Sequence, residues 1–315
     1  MNYVYIFAVA CAIAFLVTPT IRYLALKFSV IDRKNSRKVH TRIVTRFGGL
    51  GIYLGFIFAM LTVFLMRFGP KNMDLTPFWT IMMASTLILF LGAFDDVKGA
   101  NAKIKFSIQI LASLLLVNSG IVIRSIGIPF LGAVPLGWVG VPLTVFWLVG
   151  ITNAINLIDG VDGLAAGIVL ICSLGLFVKF IVLGSVLPAF FAVALAGACL
   201  GFLRYNFPPA KIFMGDTGSM FLGFSLAALA LLTNQKSAAS LVLLVPILGL
   251  GVPILDTFLA VVRRARRKKK LFLADKEHIH HLLLAKGFTV REVIYILWSV
   301  TILLNIIACG ILLGR

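Results

Sequence analysis

Four short blocks hold most of the residues able to do chemistry in an otherwise apolar chain. The first, LGAFDDVKGANAKIK (91–105), sets the adjacent carboxylates Asp95 and Asp96 before Lys98, Lys103 and Lys105. Neighbouring carboxylates repel and lose hydration at an apolar boundary, and a divalent cation or an ammonium relieves both costs. The plainer alternative is a solvated helix end neutralised by those lysines. The second, NAINLIDGVDGLAAG (153–167), places Asp159 and Asp162 three apart, on one face if the segment is helical, with Asn156 beside them. Two Asp-Gly steps allow tight turns, and amide and carboxylate can hydrogen-bond a base or a sugar. A polar turn between apolar runs is the alternative. The third, NFPPAKIFMGDTGSMFLGF (206–224), opens an apolar run with Gly215-Asp216-Thr217-Gly218-Ser219. A helix N-terminus there offers unpaired N–H groups to a phosphate, and Asp216 could hold a magnesium ion against it. Simple capping is compatible with that role. The fourth, ADKEHIHHLLLAKGF (274–288), carries His278, His280 and His281. On a helix His278 and His281 share a face and His280 points elsewhere. A zinc site needs a further ligand and a closed shell, so contact with phosphate or sugar is the better reading.

Two other features carry less. The run Arg263 to Lys270, RRARRKKK, reads as a topogenic anchor against anionic lipid, and the membrane setting argues against nucleic acid. Cys11, Cys172, Cys199 and Cys309 each sit in an apolar run without CxxC spacing, so they read as small packed hydrophobes.

The elements that must position these blocks follow from composition. Of 315 residues, 61% are hydrophobic and 13% charged, more apolar than a water-soluble globule. The solvent is lipid, and about twenty apolar residues cross it as a helix. Ten segments qualify: 3–26, 48–67, 77–94, 104–123, 138–157, 164–183, 187–203, 217–233, 238–262 and 292–313. The fifth is interrupted by Gly137 to Pro142. The ninth is expected to kink or break, with Pro246 and Pro253 around Gly249-Leu250-Gly251. The first lacks a basic leader and a small-residue cleavage site and reads as a retained span. The expectation is one all-α, polytopic integral membrane domain over 1–315, with about ten transmembrane helices.

Orientation comes from Lys and Arg. With the loop after the first span cytoplasmic, 23 of the 29 basic residues lie inside, which puts both termini outside. Of the 11 acids only Asp74 then falls outside, and all four histidines, His40 included, lie inside. The positive-inside rule makes no demand on Asp or His. Their one-sidedness points to a site among cytoplasmic loops of the plasma membrane.

Together and in this order, FDDVKGANAKIK, NLIDGVDGLAAG, NFPPAKIFMGDTGS and ADKEHIHHLLLAKGF resemble the polyprenyl-phosphate N-acetylhexosamine-1-phosphate transferases. The loop VIDRKNSRKVHTRIVTRFGG (30–49) is similar too, with Ile43 and Thr45 where prolines are common. HIHH after ADKE looks like the WecA/TagO branch; the three-histidine run with Phe-Glu of the related MraY branch is absent. The resemblance implies Mg2+ or Mn2+ on Asp216, and Asp95 and Asp96 near the reacting phosphates with Asp95 as base. It implies a nucleotide-sugar pocket of Asn156, Asp159, Asp162, Asn206 and Phe213, with Phe213 stacking on uracil. Arg46, Lys103 and the three histidines would meet phosphate or sugar. A homodimer is implied by the resemblance alone.

The implied reaction moves N-acetylglucosamine-1-phosphate from UDP-GlcNAc to undecaprenyl phosphate, releasing UMP and starting a cell-envelope polysaccharide. UDP-MurNAc-pentapeptide or another UDP-N-acetylhexosamine is the alternative donor. Either direct attack or an enzyme-phosphate on Asp95 or Asp96 fits the residues. A secondary transporter is the rival from another class, but its site belongs near the bilayer midplane, whereas these acids sit at span ends.

Overall fold

A computed structural model of the chain describes residues 2–30, 44–69, 74–128, 132–232, 244–266 and 278–314. The helices are α1 (Asn2–Lys27), α2 (Gly48–Leu65), α3 (Thr76–Lys98), α4 (Ala102–Asn118), α5 (Gly140–Ile158), α6 (Leu164–Val182), α7 (Val186–Asn206) and α8 (Gly215–Leu231). They continue with α9 (Leu244–Gly249), α10 (Gly251–Arg266), α11 (Ile279–Ala285) and α12 (Val290–Leu313). Among the described residues, seven helices are long and apolar enough to cross a membrane: α1, α2, α3, α5 with the turn before it, α6, α7 and α12. The chain is a multi-pass membrane protein. The fourth and eighth expected spans form helices of 17 residues each. The ninth divides into α9 and α10 at Leu250, where Pro246 and Pro253 deny the ladder its donors. The Gly249 carbonyl at that break is met by Cys172 Sγ at 3.1 Å.

Besides an isolated bridge between Thr45 and Ile212, a strand pair departs from an all-α chain among the described residues. Between α4 and α5 a hairpin pairs β1 (Ser125–Ile128) with β2 (Gly132–Pro135), antiparallel, Ser125 opposite Pro135. The sequence there is rich in Gly and Pro, which cost a helix too much to form.

α8 lies at the centre. It is buried without interruption from Thr217 to Ala230, so it is apolar on every face. α3 and α5 flank it, while α1 packs on α2 and α7. Small residues set the approach of main chains. A Cβ on Gly92 of α3 would run into the Asp216 carbonyl, and one on Gly49 of α2 into the Gly218 backbone. Both glycines face the first turn of α8, so two helices reach that turn at backbone distance. At the far end of α3, Asp74 Oδ1 accepts from Thr76 N at 2.9 Å. The single acid that the charge count puts on the opposite side therefore satisfies a free N–H at the start of α3.

Candidate active site

The first turn of α8 has N–H groups that its own helix cannot satisfy, and Met214 before it supplies no side-chain cap. Asp96, at the end of α3, does so from another helix. Its Oδ1 accepts from Asp216 N at 3.0 Å, and its Oδ2 from Thr217 N at 2.9 Å and Thr217 Oγ1 at 2.6 Å. Gly215 makes this possible twice over. Its φ is +73°, and a Cβ there would collide with the Asp96 carboxylate. Arg46 Nη1, just before α2, stands 3.8 Å from Asp96 Oδ1.

Asp95 turns the other way. Its Oδ1 accepts from Ala100 N and its Oδ2 from Lys105 Nζ, both at 2.6 Å. The same ammonium donates to Asp216 Oδ2 at 2.6 Å. Lys105 reaches both because Asn101 caps α4, accepting from Ile104 N at 2.9 Å, and so fixes where its first turn starts. Lys103, expected at the phosphates, lies exposed on that turn, while Lys105 is half-buried against the acids.

A fourth carboxylate closes the rim. Asp159 ends α5, and Asn156 one turn earlier donates from Nδ2 to Ser219 Oγ of α8 at 2.8 Å. Burial, then the negative charges of Asp216, Asp96 and Asp162, hold the Asp159 carboxyl well above the usual range, and Arg46 works against them. Only a shared rim lets these groups sense one another.

The loop between α7 and α8 is tied on two sides. Asn206 is 2% exposed; its Oδ1 accepts from Gly163 N at 2.9 Å and its Nδ2 donates to Ile212 O at 3.0 Å. Asp162 Oδ2 accepts from Ala210 N at 3.0 Å. Phe213 N donates to Thr45 O at 2.8 Å and Gly48 N to Phe213 O at 2.9 Å. Asn206 and Asp162 thus hold this loop to the start of α6, and the backbone of Phe213 holds it to α2. Arg22 Nε donates to Lys211 O at 2.9 Å, and Arg291 Nη2 to Pro208 O at 3.2 Å.

The histidines assemble differently from the helical expectation. His278 is the extended residue before α11, with φ −62° and ψ 152°, so helical spacing does not govern it. Its ring stacks on that of His280, 5.7 Å between centroids and 5° between planes, while His280 lies 4.3 Å from His281. All three rings form one group. His278 Nδ1 meets Asp256 Oδ2 of α10 at 2.9 Å. A Cβ on Gly160 would stand 2.9 Å from His280 Nε2, which sets the block against the Asp159–Asp162 turn.

The structure thus brings Asp95, Asp96, Asp216, Arg46 and Asn156 together directly, with Asp159 in their field. It places Asp162 and Phe213 in the adjoining loops, Asn206 at the end of α7 and the histidines against the turn. His40, residues 267–277 with the remainder of the basic run, and most of the 30–49 loop lie outside the described residues. Neither Lys105 as a bridge between two acids nor Asp256 is expected from the sequence. A carboxylate in the interior of an apolar helix was the available signal for Asp256. Nothing local distinguishes Lys105 from Lys103.

Residues 78–234 match the family model described as glycosyl transferase family 4. The chain is 40% identical over 303 residues to a probable undecaprenyl-phosphate N-acetylglucosaminyl 1-phosphate transferase of Bacillus subtilis (strain 168), covering 96% of this chain and 83% of that protein. It is 38% identical to a decaprenyl-phosphate N-acetylglucosaminephosphotransferase of Mycobacterium tuberculosis, covering 92% and 77%. It is 29% identical to the undecaprenyl-phosphate alpha-N-acetylglucosaminyl 1-phosphate transferase of Escherichia coli (strain K12), covering 86% and 73%. With that identity over nearly its whole length, and with the family's acidic, amide and histidine motifs gathered at one end of the bundle, the chain belongs to the polyprenyl-phosphate N-acetylhexosamine-1-phosphate transferases.

Proposed function

We propose that the protein transfers N-acetylglucosamine-1-phosphate from UDP-GlcNAc to undecaprenyl phosphate at the cytoplasmic face of the plasma membrane. The observation that carries this reading is the meeting of Asp95 and Asp216 on the single ammonium of Lys105, each at 2.6 Å. Two carboxylates drawn onto one cation at a helix N-terminus suit a pair of phosphates and a metal better than they suit a solute pathway. The Lys/Arg asymmetry supports the cytoplasmic placement, with about ten spans and both ends outside.

The residues fit Mg2+. Their donors are hard carboxylate oxygens, already placed around a spot that holds positive charge. No group of three or more His, Cys, Asp or Glu able to hold a metal occurs among the described residues. Mg2+ typically takes one or two carboxylates and leaves the rest to water and substrate phosphates. Asp216 and Asp95 would hold it. When bound, it supplies charge neutralisation for the two phosphates.

The chain's own residues supply the rest. A phosphate oxygen of the lipid attacks the β-phosphorus of the UDP-sugar, the bond to the bridging oxygen breaks, and UMP leaves. Lys105 and Arg46 offset the charge of the meeting anions. A phosphate monoester is largely ionised near neutral pH, so Asp95 orients the nucleophile. Asp96 has both oxygens committed to α8, which supports direct attack over an aspartyl-phosphate on that residue. Phe213, half-buried at the loop edge, is the stacking surface for the base.

Purified protein with Mg2+, radiolabelled UDP-GlcNAc and undecaprenyl phosphate should yield UMP and a labelled lipid. Solute movement in sealed vesicles without UMP release would overturn the enzyme reading. UDP-MurNAc-pentapeptide and other UDP-N-acetylhexosamines in the same assay decide the donor.

A further inference from the structure

Within α10 the apolar stretch Gly251–Val262 contains one charged residue, Asp256, and it is 1% exposed. No step above uses it. A carboxylate so far from water is strongly unfavourable unless its oxygens are matched. Both are. Oδ1 accepts from Ile279 N at 2.8 Å, in the first turn of α11, and Oδ2 stands 2.9 Å from His278 Nδ1. Capping alone would need only the first bond, which a neutral Asn or Ser supplies as well. The second bond does something a cap does not. A carboxylate on Nδ1 fixes which ring nitrogen carries the proton and fixes the plane of the ring.

That plane is passed on. The His278 ring lies parallel to His280 within 5°. His280 is 2% exposed, and its Nε2 has no hydrogen-bond partner among the described residues. That nitrogen faces Gly160, between Asp159 and Asp162. The groups around the pair are His280 and His281 from α11, with Asp256 the acid that faces His278.

From these contacts we infer that Asp256 is a positioning residue of the transferase site: through His278 Nδ1 it sets the plane of the histidine block against the Asp159–Asp162 turn. The inference rests on the transferase reading above. Asp256 does not touch substrate; it acts from α10, and it makes the seating of α10 a condition for the alignment of the histidines.

The test is a double-mutant cycle on UMP release, with Asp256→Asn, His278→Ala and the pair in the full-length protein. Asn keeps an oxygen for Ile279 N, so Asp256→Asn should retain the wild-type thermal midpoint within a few degrees. Its kcat/KM should fall about 10- to 100-fold. The double variant should be no worse than His278→Ala alone, because the two act as one unit. Additive losses, or wild-type kcat/KM for either single variant, overturn the inference. A second measurement needs no variant that folds poorly: 15N spectra of histidine-labelled wild-type protein should show His278 Nδ1 protonated, and an unprotonated Nδ1 overturns the inference. Absence of UMP release by wild-type protein with every UDP-sugar would instead remove the transferase reading.

Discussion

The two ends of α8 solve the same problem with different surplus. At the first turn, Asp96 of α3 caps the free N–H groups. At the last, Lys179 of α6 donates to the Ala230 carbonyl at 3.1 Å and lies over the Phe180 ring at 5.2 Å. Both follow from the helix dipole, with a negative group at the N-terminus and a positive one at the C-terminus. The lysine end stops there: Lys179 is 0% exposed, and among the described residues the one hydrogen bond of its ammonium goes to a main-chain carbonyl. The aspartate end carries Asp95, Asp216 and Asp159 as well, none of them needed to cap anything in α8, together with Lys105 and Arg46. Charge in excess of what the fold requires is what separates a site from a cap.

If that contrast is right, variants at the two ends should separate activity from stability. The largest effect is expected for Asp216→Asn, which keeps the shape of the turn and removes its charge. Turnover should fall by about 100-fold or more, the scale of losing one electrostatic group in a catalytic site, with circular dichroism and elution volume unchanged. Near-normal UMP release would take Asp216 out of the chemistry. Lys105→Met should come next, lowering kcat by about tenfold and weakening Mg2+ dependence less than Asp216→Asn does. A metal titration on both variants separates the two roles.

At the other end the signs should exchange. Lys179→Ala leaves the α8 carbonyl without a donor and should cost about 1–3 kcal/mol of stability. Thermal unfolding in detergent reads this, and the turnover of the folded fraction should stay within twofold. A tenfold loss of turnover would break the contrast.

The smallest effect concerns pH. Burial, then the neighbouring His281, pushes His280 down from 6.5 to about 4, with Asp256 opposing. The unfolded chain therefore takes up the proton first. The contribution of neutral His280 is complete above about pH 6.5 and is lost as pH falls toward 4. His280→Phe should flatten the decline of the thermal midpoint across that window. Asp159 has the opposite sign, since its raised carboxyl favours the folded state at low pH, so the difference between wild type and His280→Phe is the quantity to compare.

Much of the architecture is legible in the sequence. Apolar runs of membrane length and the Pro246–Pro253 break follow from local composition, which lipid forces into helices because no water is present to satisfy the backbone. The acids, amides and histidines read as a candidate site because, in the orientation that the Lys and Arg residues favour, their one-sidedness has no topogenic cause. The β1–β2 hairpin was missed, because a short Gly- and Pro-rich link has no periodicity to read. The ring grouping of the histidines was missed because His278 sits one residue before its helix, where the 3.6-residue period does not yet apply.

By itself, then, the sequence determined which residue types exist at each span end and the lipid solvent that makes those ends conspicuous. The tertiary structure decided which of several equivalent residues take part. Lys105 rather than Lys103 between the acids, Asp96 as cap while Asp95 turns to Lys105, and Asp256 behind His278 all depend on how α3, α4, α8 and α10 meet. Those choices rest on distances of a few ångströms between segments up to 121 positions apart. Spacing along one chain carries no information about them until Gly49, Gly92 and Gly215 let the backbones close.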